Sequence, residues 1–451
     1  MRVGDTKVFG VPQSRRTQSP RPLPAPDFPL VRHRLDNGLR IVIAPDRSAP
    51  AVGIAVLYDV GFRSEPRGRT GFAHLFEHLM FQGSANLEKL EHFRYVQSSG
   101  GSFNGSTHPD YTNYYEVLPS NALERGLFLE ADRMLSPRIT EENLANQIAV
   151  VKVEIRVNVL NRPYGGFPWL ELPPVLYDTF PNAHNGYGDF VDLQNATVGD
   201  AADFFDRYYA PANAVLAVAG DCDPEETISL AEKWFGGVPA RPAPVRPDFD
   251  EPPPTAERRA SAVDQHAPLP AVALGYRVPD PVAELPAHLA QVLAAELLSD
   301  GDSSRLQRSL VQRDHLVTDA GAYLGTFGDP FDERGPTVFT ITAHYPDPGA
   351  TERVVAGMDS ELALLAERGP EPGELDRVRT RLVGALLREL DSVLSRALEF
   401  GKFELLFGDA GLIGELPARL AEVADTDLAT AAGRLRPDRR AVVELIAGGA
   451  Q

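Results

Sequence analysis

The sequence predicts an α+β protein of two domains that share one layout, and three observations carry that expectation. At 451 residues the chain exceeds one ordinary domain and suggests two or three. The stretch VPARPAPVRPDFDEPPPTAERRASAVDQHAP is dense in proline and charge, lacks any hydrophobic period, and reads as a linker. The blocks on either side, each of about 200 residues, close alike. AADFFDRYYAPANAVLAVAGD and LATAAGRLRPDRRAVVELIAGG are each a helix, a proline turn and a strand, which suggests a duplicated domain. The expected divisions are a disordered leader over residues 1–27, a first domain over 28–238, a linker over 239–267 and a second domain over 268–451.

In order along the chain, the leader is basic, poor in acids and rich in proline. It lacks the apolar run of a secretory signal, and its weak amphipathic pattern fits disorder better than a transit peptide. VRHRLDNGLRIVIAP follows as a hairpin, with Asn37-Gly38 between two short alternating runs. AVGIAVLYDVG is a strand; helical stretches come next, and YTNYYEVLP is another strand. The only cysteine, Cys222, follows a strand-like run and reads as a small packed residue. With one cysteine no internal disulfide can form, which fits a reducing compartment such as the cytoplasm. No apolar run approaches the ~18 residues that a membrane-spanning helix requires. The net charge of −19 disfavours a nucleic-acid partner. It suits a solvated acidic surface, or the capture of basic peptides if the acids line a cavity.

Residues 70–83, TGFAHLFEHLMFQG, form a helical pattern with Thr70 as the expected N-cap and Gly83 as the stop. Phe72, Leu75, Phe76, Leu79 and Met80 would hold it in a core. His74 and His78, four residues apart, share one face and can reach one ion. Neutral imidazoles at that separation suit zinc. Glu77 lies beside them, placed to take a proton from water at the metal. A zinc hydrolase needs only three protein ligands. Glu154, on the helical run EENLANQIAVVKVEIRVNV with Ile148, Val151 and Ile155 as anchors, would complete a His-His-Glu set. Ten histidines in this length give a random H-x-x-E-H with a probability of roughly one per cent. Ionisable groups inside so apolar a helix are costly unless they are partnered, which favours a metal over a bland amphipathic face.

The order H-x-x-E-H reverses the commoner H-E-x-x-H and marks the inverzincins. Through RLDNGLRIVI, GRTGFAHLFEHLMFQGS, GGSFNGSTHPDYTNYYEVLP, VVKVEIRVNVLNRPYG, YYAPANAVLAVAGD and SSRL, the chain resembles the pitrilysin/insulinase family, especially the mitochondrial processing peptidase and its bacterial relatives. The resemblance implies two homologous domains, each a mostly antiparallel sheet packed with helices, forming a clam-like half of a peptidase chamber. It implies His74, His78 and Glu154 as zinc ligands and Glu77 as catalytic base, with the family's usual spacing of 154 − 78 = 76 to the third ligand. Seven residues before that ligand, where many members carry a second functional glutamate, this chain has Gln147.

The resemblance further implies that GSFNGSTHPDYTNYYEVL is an edge to which an extended peptide substrate adds as a strand, with Phe103 and Asn104 nearest the scissile bond. His108, beside Pro109, reads as a surface side chain, and Asn161 to Gly165 as the end of the ligand helix. In the second block, active members or their helper subunits carry an arginine and, seven residues later, a tyrosine that bind the substrate carbonyl. Here those positions are Val311 and Thr318; a slipped register would nominate Arg313 and Tyr323, spaced by ten. The resemblance therefore implies a zinc endopeptidase acting as the catalytic subunit of a heterodimer, whose homologous partner supplies arginine and tyrosine. A homodimeric peptidase is a further possibility. The alternative of another class is a non-catalytic core-type subunit with the same fold.

Overall fold

A computed structural model describes residues 26–448; the leader expectation lies almost wholly outside these residues. Eleven strands form two sheets among the described residues. The first contains β1 (Val31–Arg34), β2 (Arg40–Pro45), β3 (Ala51–Tyr58), β4 (Ser102–Thr107), β5 (Thr112–Pro119) and β6 (Ala214–Gly220), in the order β1-β2-β6-β3-β5-β4. The second contains β7 (Arg258–Asp264), β8 (Ala271–Val278), β9 (Asp319–Leu324), β10 (Thr337–His344) and β11 (Arg440–Ala447), in the order β7-β11-β8-β10-β9.

Apart from β1 the sheets are topologically the same. In each, the strand after the proline turn inserts between a parallel neighbour (β2 or β7) and an antiparallel one (β3 or β8). In each, a further antiparallel pair extends the other side. The repeated tails thus occupy equivalent places: helix Val198–Tyr208 leads through a 3₁₀ turn at Pro211 into β6, and helix Asp425–Arg434 through one at Pro437 into β11. The Asn37-Gly38 turn joins β1 to β2 with Gly38 at φ +95°, a left-handed value that favours glycine.

One expectation is corrected. The stretch 239–267 is not linker throughout, because residues 258–264 form β7 and pair in register with β11. Its RRASAVD sequence is half polar and mostly exposed, as befits an edge strand, so it carries little hydrophobic period.

Each half covers the other's sheet. Helix Val393–Leu406 crosses the first sheet so closely that a Cβ on Gly401 would stand 2.3 Å from Leu57 Cδ1. In return, Phe167, Leu172, Leu176 and Tyr177 of the first half pack with Ala271, Ala273, Val443 and Leu445 of the second sheet. A Cβ on Gly275 would stand 2.7 Å from Leu172 Cδ2. Strands covered on both faces need continuous apolar runs, and β3 and β6 have them. The free face of the first sheet receives the helix that bears the two histidines.

Candidate active site

The histidine helix spans Phe72–Leu79 and buries Phe72, Ala73, Leu75, Phe76 and Leu79, leaving His74, Glu77 and His78 at the rim of that core. Its start differs from expectation. Gly71, at φ +82°, occupies the N-cap position, and Thr70 is not the cap. The orphan amides of Gly71 and Ala73 donate instead to the buried Glu65 carboxylate at 2.8 and 2.7 Å. Thr70 donates its hydroxyl to Asp192 at 2.7 Å, tying the helix start to a later segment. Burial raises the Glu65 carboxyl above its usual range, against the opposing pull of His184.

Helix Glu141–Ile155 packs against the histidine helix, with Leu144, Ile148, Val151 and Ile155 buried. It carries Glu154 to the two imidazoles: Glu154 Oε1 lies 3.5 Å from His74 Nε2, and Oε2 lies 3.3 Å from His78 Nε2. Ligands at about 2.1 Å from a tetrahedral zinc stand roughly 3.4 Å from one another. The three side chains, with ligand atoms mutually within 4.8 Å, therefore fit such an ion. The bonds from His74 and His78 hold the Glu154 carboxyl well below the usual carboxylate range. Burial pulls the His78 imidazole down, but Glu154 and Glu77 outweigh it and leave it raised.

Glu77 is held by a contact that sequence reasoning missed: Thr107, at the end of β4, donates its hydroxyl to Glu77 Oε2 at 2.7 Å. Gly105, two residues earlier, lets the strand pass; a Cβ there would be 3.2 Å from Glu77 Cγ. Gln147 is buried on the glutamate helix beside His78. Tyr187 is a second missed residue. It donates to Glu154 Oε1 at 3.3 Å and sets its ring edge-on to His74 at 4.9 Å. Neither residue sits in a periodic pattern, and only the shared first-sheet fold brings them in.

β4 ends the first sheet, so its outer side carries no strand among the described residues. Phe103 stacks on Phe93 at 4.6 Å and packs on Phe81, while Asn104 is exposed. His108 is not the expected surface side chain. Its ring stacks on Tyr111, Nδ1 bonds Asp332 of the second half, and Nε2 meets Ser106. After Ile155 the ligand helix runs into a π-helical turn over Arg156–Leu160. Tyr164 then turns at φ +57° and donates from its amide to Asp264 and from its hydroxyl to Leu269 O.

Among the described residues, none of the second-block positions bonds to this group. Val311 lies in the π-helical segment Gln307–Arg313, and Thr318 donates its hydroxyl to His344 O. Arg313 pairs with the adjacent Asp314 at 2.8 Å, and Tyr323 on β9 has its hydroxyl pushed up to about 12 by burial. Cys222 is buried, and burial pushes its thiol up to about 11. No helix of the described residues is long and apolar enough to cross a membrane.

The chain is similar to known proteins in sequence and in fold. The profile of the Insulinase (Peptidase family M16) family matches residues 40–163, and that of the Peptidase M16 inactive domain matches residues 195–382. The zinc protease PqqE of Helicobacter pylori is 30% identical over 366 residues, spanning 79% of each chain. Subunit 1 of the mitochondrial cytochrome b-c1 complex of Bos taurus is 26% identical over 205 residues, covering 46% of this chain and 42% of its own. The crystal structure of a protease from Helicobacter pylori superposes with a TM-score of 0.83 at 27% identity, covering 93% of this chain and 99% of its own. Two domain profiles in order, a relative matched over most of its length and the duplicated α+β fold together place this chain in the pitrilysin/insulinase family, peptidase family M16.

Proposed function

We propose that the protein is a zinc-dependent endopeptidase that hydrolyses extended peptides laid along β4 inside a chamber. The observation that carries this reading is the meeting of His74, His78 and Glu154 from two helices, with Glu77 beside them. When bound, zinc polarises a carbonyl and lowers the pKa of water. Glu77 is the general base: Thr107 occupies its Oε2, which leaves Oε1 to take a proton from the attacking water. Gln147 orients a ligand through a neutral hydrogen bond. Phe103 and Asn104 lie on the edge where a substrate backbone would add as a strand.

The chain acts as the catalytic subunit of a heterodimer in this reading, because Val311 and Thr318 cannot stabilise an oxyanion and Arg313 and Tyr323 are engaged elsewhere. A homologous partner would supply arginine and tyrosine. The single, buried cysteine favours a reducing compartment, the cytoplasm. The similarity to a cytochrome b-c1 subunit supports a second reading, a non-catalytic core-type subunit. Four ionisable groups held in this geometry weigh against it.

The deciding experiment cleaves a mixed peptide library with wild type and Glu77→Gln, each with and without a homologous chain from the same genome, alongside metal analysis. Stoichiometric zinc and cleavage lost in Glu77→Gln are expected. A wild type that neither holds zinc nor cleaves peptides with any partner makes the core-type reading correct. Full activity of the chain alone overturns the heterodimer.

A further inference from the structure

We infer that Tyr187 is a positioning residue that holds two of the three proposed ligands, His74 and Glu154, in register with each other; this rests on the zinc-site reading above. A ligand histidine is ordinarily oriented by a hydrogen bond from its second ring nitrogen. His74 has none: its Nδ1 is buried and finds no hydrogen-bond partner among the described residues. Two rings meet it edge-on, that of the fellow ligand His78 at 4.9 Å and 87° and that of Tyr187 at 4.9 Å and 80°. The same residue donates its hydroxyl to Glu154 Oε1 at 3.3 Å. One side chain therefore spans the histidine helix and the glutamate helix at the point where both present a ligand.

The loop that bears Tyr187 is fixed for this task. The amides of Tyr187 and Gly188 both donate to Asn185 Oδ1, at 3.1 and 2.9 Å. The amide of Asp189 donates to Thr70 Oγ1 at 2.9 Å, which anchors the loop to the start of the histidine helix. Gly71 lies so close that a Cβ there would be 2.5 Å from Tyr187 O. Behind the phenol ring stands Trp169 at 5.5 Å, and Trp169 in turn packs on Phe327 of the second half at 5.8 Å. An aromatic column thus runs from the second half to the back of His74, and Tyr187 is its last member.

The ring and the hydroxyl have separable duties, so two variants test them. Metal-free wild type, Tyr187→Phe and Tyr187→Ala are titrated with zinc in competition with a chromophoric chelator, and with cobalt to read the ligand-field spectrum. Thermal unfolding of each metal-free protein is recorded alongside. Tyr187→Phe keeps the ring against His74 and should weaken zinc about fivefold. Tyr187→Ala frees both ligands and should weaken it about 10- to 100-fold, with an altered cobalt spectrum. Unfolding of Tyr187→Phe should stay within a few degrees of wild type. If zinc affinity in both variants stays within twofold of wild type, the positioning role is wrong while the zinc site stands. If wild type itself takes up no zinc, the zinc-site reading fails and this inference with it.

Discussion

At the scale of single residues, the Thr107–Glu77 bond makes a sharp prediction. A glutamate base delivers its proton acceptance only if one oxygen faces the water, and a carboxylate on a helix rim can rotate. Thr107 removes that freedom by donating to Oε2 at 2.7 Å. Thr107→Val keeps the shape and deletes the donor, so kcat should fall about tenfold with KM little changed. Thr107→Ser keeps the hydroxyl and should stay within about threefold of wild type. Steady-state kinetics on one fluorogenic peptide checks both, and an unchanged kcat in Thr107→Val would remove the residue from the machinery.

The sequence shows one half of this relation. His74, Glu77 and His78 are legible because helical spacing alone puts them together, and Glu154 because its helix has its own apolar anchors. Thr107, Tyr187 and Glu65 are not, since each reaches the site from a segment whose position only the folded sheet determines. The Thr70 cap is misread for a related reason. The residue type is right, but a buried carboxylate six residues before Gly71 already takes the helix amides.

At the scale of elements, β4 matters through its backbone. Its outer side is unpaired among the described residues, while its inner side is in register with β5 from Ser102↔Val117 to Thr107↔Thr112. A peptide that adds there would bond through alternate residues. Peptides N-methylated at successive positions should therefore lose kcat/KM with a period of two, each harmful methyl costing about five- to tenfold. A flat response would show that substrates do not bind as a strand. The elements themselves are unevenly legible. β3, β6 and the β1-β2 hairpin announce themselves through apolar runs and an Asn-Gly turn. β7 hides in the proline-rich stretch because an exposed edge strand needs no apolar face.

At the scale of the whole molecule, burial of charge sets how stability responds to pH. Behind Phe103, Glu116 and Glu130 lie wholly buried with Arg133 and His92. Both Glu116 oxygens lack a hydrogen-bond partner. Burial pushes the Glu116 and Glu130 carboxyls up to about 7, and it does the same for Glu333 and Glu399 in the contact between the halves. Burial also lowers the His92 imidazole to about 3.

For the raised carboxyls, the folded state holds protons that the unfolded chain releases above its own pKa of 4.5. Their contribution is complete below that value and is lost as pH rises through about 7. His92 acts in the opposite sense: its contribution is present above the unfolded value of 6.5 and is lost as pH falls toward about 3. Four carboxyls losing their contribution from 4.5 upward outweigh the one histidine still gaining, so the melting temperature should peak near about pH 5 and fall by several degrees by about pH 8. Glu116→Gln installs a permanently neutral side chain of the same shape, which removes one group's share of the alkaline loss. Its melting temperature should fall less steeply between those pH values, by about 2–4 °C for each kcal/mol recovered. Scanning calorimetry of the metal-free protein across that range measures the slope, and a Glu116→Gln variant as steep as wild type would show that this carboxyl is ionised in the core at every pH tested.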